Sequence, residues 1–540
     1  MKYRNYAFPS LLAVLLLLPW LVGLSGFSAK LPLPGADLWA YPGILKASLQ
    51  TLAVGLIATL LSTVLASLIL FAEQRKPSKL WALTFTAPHL AFAVAFLWLF
   101  TPFGWFDRLL PGHWAWFEQQ SLLTLTLILI IKETPFLVVL GRQQLLQLPY
   151  QQWLMQGRSL ASSHWHSWWL LVFPPWLRSM RLLLIAVAVY SVGVVDVATL
   201  AGPLNPPLLG PLLVTWQQQF DPLSNVLAAQ GLWLLIALTL ITVGWLYLQE
   251  ALLWALAKWR LGRVRSSRVK WRLAGVVRLV AGIRWVLFIA SMASGLALVA
   301  LSLGKGWFYP ALVPQEWSWQ AALATLERLV PQLLTTLGLA LLTALVVSIV
   351  LITCREWQRA TGREYPDLVF IAALLVPQTA LVLAWLQTDW INLVALSADS
   401  AWWLTFYAHA WFAFAYAYLS YAPAERSVTQ AHLTTGRSLG YGYWQSWWYF
   451  KRPDLIAAIG YAFLVSFLVS IAQYVPTLLL GQGYLSTLTT ELVVLSSGAE
   501  LQAPAVAALL LWLLALGAIL LFGNLAVALF YRRFKQRQKT

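Results

Sequence analysis

The 540-residue chain is 60% hydrophobic, only 10% charged and carries a formal charge of +17. A soluble domain of this length does not need that much apolar surface, and continuous rather than alternating apolar runs exclude a transmembrane barrel. The single cysteine, Cys354, excludes a disulfide framework and a cysteine-rich metal site.

Runs near twenty residues match the hydrocarbon thickness of a bilayer at helical rise. Read in chain order, they predict an all-α integral membrane protein with twelve spanning helices. These lie near 8–28, 47–72, 80–100, 121–141, 182–200, 225–257, 279–303, 329–353, 368–388, 401–421, 455–480 and 502–531. The first run follows Lys2 and Arg4 and has no clear small-x-small cleavage site before a soluble domain, so it reads as an uncleaved helix. With the N-terminus inside, 29 Lys and Arg fall on the inner side, 5 on the outer side and 2, Lys132 and Arg284, within spans. This bias orients the protein with both termini in the cytoplasm, and it accounts for the net charge without nucleic acid.

One eighteen-residue pattern occurs twice without a gap. Gly157 to Pro174 and Gly436 to Pro453 both fit G-R-S-L-x4-W-x-S-W-W-x4-P, 279 residues apart. The chain therefore divides into a first repeat at 1–257, a basic linker at 258–278 and a second repeat at 279–540. Six helices per repeat return the chain to its starting side, so the halves are parallel and both loops, 151–175 and 430–454, face the cytoplasm. The loop sequence predicts a short helix, a turn and a second helix against the membrane interface. Trp165, Trp168 and Trp169 line one face of that second helix, as do Trp444, Trp447 and Trp448. Pro174 and Pro453 are expected to end the second helix, and Gly440 to supply a left-handed turn residue where the first copy has Ala161. His164 and His166 face Tyr443 and Gln445 in the other copy, which argues against a metal site.

These residues resemble the EAA loop of binding-protein-dependent ABC importer permeases, E-A-A-x-x-x-G, nine residues, then I-x-L-P. Aligned over Met155–Pro174 and Thr434–Pro453, Gly157 and Gly436 match the third small residue. Arg158, Ser159 and Leu160, with Arg437, Ser438 and Leu439, match the usual continuation; Gly440 matches the central glycine, and both prolines match the end. The departures are Met155 and Thr434 for the family glutamate, Ala161 for the glycine, and Arg452 for the leucine before proline. Two such halves in one chain are similar to the iron(III) and thiamine permease branch. The resemblance implies a bacterial inner-membrane permease without cofactor, whose loops dock on a dimer of cytoplasmic ATP-binding subunits and which receives a small solute from a periplasmic binding protein. No G-x-x-x-x-G-K-[ST] occurs in the chain, so hydrolysis falls to the partner and the chain itself is not an enzyme.

Within the spans, Lys132 and Glu133 precede Pro135, Asp196 lies deep in the fifth span, and Gln473 is its approximate counterpart. Buried charge is costly, so these four are candidates to line a translocation path; the competing reading pairs Lys132 with one carboxylate. Arg284 is expected to be structural. The many Trp and Tyr fit belts at span ends better than an aromatic cage for a cationic solute. A twelve-helix secondary transporter is the alternative, but segment 72–79 lacks its G-x-x-x-D-R motif and the repeated loop has no role there. A membrane transferase would gather carboxylates or histidines in an outer loop, where Asp107, His113 and Glu118 are sparse.

Overall fold

A computed structural model describes residues 32–74, 78, 81, 84, 87–110, 117–159, 163–219, 221–261, 273–362, 365–388, 397–428, 431–498 and 500–523. The protein is an all-α integral membrane protein, interrupted among these residues by a two-stranded antiparallel pairing of Gly304–Lys305 with Glu316–Trp317. Eight described helices are long and apolar enough to cross a membrane, nine if the bent pair His164–Ser179 and Arg181–Gly193 counts as one. The expected span at 8–28, the linker core at 262–272 and the tail from 524 lie outside the described residues.

The chain forms two compact units. One comprises 33–324 with 495–509, and the other comprises 325–494 with the described residues from 510. In the first, Ile44–Ala72 packs on Leu122–Leu146, Arg181–Gly193 and Pro222–Leu261. Helix Leu273–Leu303, which by sequence opens the second repeat, packs here too, on Ile44–Ala72 and His89–Phe100. Small residues permit the close approaches: Ala47, Val54, Ala58 and Ala66 on Ile44–Ala72 are fully buried. In the second unit, Ala398–Ser427 lies along Arg452–Ala472, and Ala340, Ala344, Leu464, Phe467, Ile471, Ala515 and Ala518 form one cluster. Leu240, Leu252, Leu296, Leu334 and Ile349 point outward and are more than half or nearly half exposed, as a lipid-facing surface requires.

Three expected spans are broken. The span at 182–200 stops at Gly193, turns extended at Val194 and resumes as Asp196–Ala201. The span at 455–480 stops at Ala472, turns extended at Gln473 and resumes as Val475–Leu480 with Pro476 in its first turn. Proline cannot donate into a continuing helix but is well suited to starting one. The span at 368–388 is split into Asp367–Phe370, Ala372–Leu374 and Gln378–Leu386, each longer piece opening after a proline.

Candidate functional site

The repeated sequence folds into one repeated geometry. Tyr150–Ser159 and Ala431–Ser438 are the first loop helices; His164–Ser167 and Tyr443–Ser446 start the second. In each copy the second helix then widens into a π-helical turn, Trp168–Val172 and Trp447–Lys451, and continues as Phe173–Ser179 and Arg452–Ala472. The prolines therefore do not end the helix, contrary to the expectation. Phe173 N–H reaches Trp168 O and Arg452 N–H reaches Trp447 O, so the wide turn is complete one residue before Pro174 and Pro453. The proline, lacking N–H, falls where the ladder has already been offset.

The two helices of each loop meet at a glycine and a serine. A Cβ on Gly157 would lie 2.2 Å from Ser167 Oγ, and one on Gly436 would lie 2.6 Å from Ser446 Oγ. That contact explains why both residues recur in the pattern: only glycine lets the helices close on a buried serine. Gly440 takes the left-handed φ of +85° that its turn requires, and its N–H donates to Arg437 O. Leu160 and Ala161, the matching turn, lie outside the described residues. The second helix begins by different means in each copy. Ser163 Oγ accepts from His166 N–H, whereas Gly442 N–H donates to the Gln445 side chain.

Outward from this contact, Arg158, Ser159, Arg437, Ser438 and Leu439 are all exposed, together with Met155 and Thr434. Ser159 Oγ and Ser438 Oγ turn back onto their own helices, to Gln156 O and Thr435 O. Pro174 and Pro453 are buried. The three tryptophans of each copy do not act as one interfacial stripe. Trp168 is fully buried and donates to Ser67 Oγ at 3.1 Å, and Trp447 is buried too, while Trp444 and Trp448 remain half exposed. Trp168 and Trp169, like Trp447 and Trp448, are adjacent and diverge by about 100° on a helix, so one ring of each pair turns inward.

The path candidates collect beside the helix breaks. In the first unit, Glu133 Oε1 lies 3.0 Å from His89 Nε2, and the His89 ring packs at a tilt of 57° against Tyr190. Asp196 opens the short helix beyond the break, which packs on both His89–Phe100 and Leu122–Leu146, within electrostatic reach of His89. Lys132 donates to Thr84 O at 3.1 Å and sits over the Phe92 ring. The competing reading pairs Lys132 with a carboxylate; in the structure Lys132 hydrogen-bonds to Thr84 O, and the ion pair of Glu133 is with His89. In the second unit, Gln473 sits at the break itself and donates to His409 O, and His409 bridges Ser470 and Thr477 at 2.9 Å each. At the repeat spacing, Gln473 corresponds to Val194 and Asp196 to Val475, so the two are not counterparts.

Beyond each break a second duplicated contact appears. Leu209 N–H donates to Thr51 Oγ1 and Leu488 N–H to Thr336 Oγ1, both at 2.9 Å, fixing the start of Leu209–Gln218 and Leu488–Ser496. His89 and His409 were missed by sequence reasoning. Their signal was a histidine within or beside an apolar run, which in a membrane protein marks a polar interior site. Arg284, as expected, is structural: it pairs with buried Glu73 at 3.4 Å.

Fold and site together define a polytopic helical membrane protein in which one loop geometry and one helix break each occur twice. Over 476 residues, 85% of this chain, it is 28% identical to the inner membrane ABC transporter permease protein YnjC of Escherichia coli (strain K12), of which the match covers 84%. No protein-family model matches the chain, and no solved structure matches it.

Proposed function

We propose that this chain is the transmembrane permease subunit of an ATP-driven ABC importer in the bacterial inner membrane, with both permease repeats fused in one polypeptide. The observation that carries this reading is the exposed loop built twice on one geometry: helix, Gly–Ser contact, π turn and proline. A two-fold repeated socket is what a dimeric ATP-binding partner requires, and the likeness to YnjC supports it. Each exposed loop helix docks in one cytoplasmic ATP-binding subunit. ATP binds one state of the assembly better, and that preference drives alternation of the path. The solute arrives from a periplasmic binding protein and passes the polar residues at the helix breaks, Glu133, His89 and Asp196 in one unit and Gln473 and His409 in the other. Discontinuous helices supply polar backbone at membrane depth where a solute must be met. Lys132 supports this wall through Thr84. A thiamine- or iron(III)-class solute fits the branch whose loops these resemble.

The test is reconstitution with the ATP-binding subunit that co-purifies with the chain. Solute uptake dependent on ATP is expected, and Arg158→Glu with Arg437→Glu should uncouple hydrolysis from uptake. Uptake driven by an ion gradient without any ATP-binding subunit would replace this reading with a secondary transporter.

A further inference from the structure

The second loop is seated on buried charge. Glu356, Glu425 and Lys451 have fully buried side chains. Lys451 Nζ, at the end of the π turn, reaches Glu356 Oε1 at 2.6 Å and Glu425 Oε1 at 3.5 Å. Glu356 also accepts from Tyr443 Oη at 2.9 Å, at the start of the same loop helix. Glu425 in turn holds Arg355 at 2.8 Å and Arg359 at 2.9 Å. The network thus joins the end of Trp319–Thr361, the end of Ala398–Ser427 and both ends of the segment from Tyr443 to Lys451. At the repeat spacing, Tyr443 and Lys451 correspond to His164 and Val172, so the first loop does not carry the lysine that anchors this network. Among the described residues, uncharged contacts on its seat are the Trp168–Ser67 and His164–Gln74 hydrogen bonds and the Phe71 ring against Trp165 and Trp168.

Moving a loop off a neutral seat exposes rings and hydroxyls. Moving one off a buried ion network strands charges in a low-dielectric site, which is far more costly. We propose that Lys451, Glu356 and Glu425 are positioning residues that lock the second loop to two membrane helices, so that this loop transmits motion as a stiff arm while the first loop yields. The assignment of transmitted motion rests on the coupling-loop reading above; the inequality of the two seats does not.

The experiment is hydrogen exchange on the purified full chain in lipid nanodiscs, comparing loop segments 431–451 and 150–172, followed by ATP hydrolysis with the co-purifying ATP-binding subunit. In the unaltered chain, amides of 443–451 should exchange at least tenfold more slowly than those of 164–172. Lys451→Met should raise exchange at 443–451 about tenfold or more and leave 164–172 unchanged. The double variant Lys451→Met with Glu356→Gln should recover part of the protection, because neither charge is then left alone. Equal protection of the two loops in the unaltered chain, or no change in Lys451→Met, would overturn the lock. Lost protection with transport-stimulated hydrolysis fully retained would overturn its role in transmission. If no ATP-binding subunit associates with the unaltered chain, the permease reading fails while the exchange comparison still decides the lock.

Discussion

The first loop, at 150–174, and the second, at 431–453, share backbone geometry down to the position of the π turn, yet they rest on different chemistry. Among the described residues, rings and hydrogen bonds meet one; an ion network with no side-chain exposure at its centre holds the other. The two loops therefore share the parts that set shape, the Gly–Ser contact, the wide turn and the proline. Their undersides differ. On the proposed reading, a socket for a symmetric partner needs its outer face twice, but nothing requires the two seats to be alike.

The sharpest way to break this comparison is at the charged seat. Lys451→Met should cost roughly 3–5 kcal/mol because it leaves Glu356 buried without its cation, whereas Val172→Met, at the corresponding position, should cost far less; thermal unfolding in detergent would read the difference. Next comes the shared helix contact. Gly157→Ala and Gly436→Ala should each cost about 1–3 kcal/mol through overpacking against Ser167 and Ser446. Pairing each with the serine changed to glycine should return much of the loss at Gly157 and less at Gly436, where Phe450 Cδ2 still lies 2.9 Å from the added Cβ. Equal losses in the two copies would sharpen the claim that shape is common to both. A smaller effect is expected at Gly440→Ala, about 1–2 kcal/mol, from an L side chain forced to φ +85°. The smallest belongs to the neutral seat: Trp168→Phe removes one hydrogen bond to Ser67, worth about 1 kcal/mol, and should loosen the first loop alone in hydrogen exchange.

Much of the site was legible because repetition and composition carry it. Gly157, Arg158, Ser159 and Pro174 could be paired with Gly436, Arg437, Ser438 and Pro453 by register alone, and the left-handed turn at Gly440 follows from residue type. The lock was not legible. Lys451, Arg355 and Arg359 read in sequence as inner-side positive charge, the ordinary mark of topology, while Glu356 and Glu425 lie 69 residues apart on different helices. Nor was His89 legible as Glu133's partner, since only helix packing brings positions 44 residues apart within hydrogen-bond reach.

Long apolar runs, by themselves, determined that this protein lives in a bilayer as helices, because unpaired backbone cannot survive there. The gapless recurrence of one pattern likewise marked the loop whose geometry occurs twice. What tertiary structure alone decided was where the copies differ and where packing departs from repeat order. Helix Leu273–Leu303 joins the unit of the first repeat, the spans break at Val194 and Gln473, and Lys451 finds two carboxylates. Local sequence sets the conformation a segment prefers, but partners distant along the chain set the dielectric, the hydrogen bonds and the charge that a buried side chain meets.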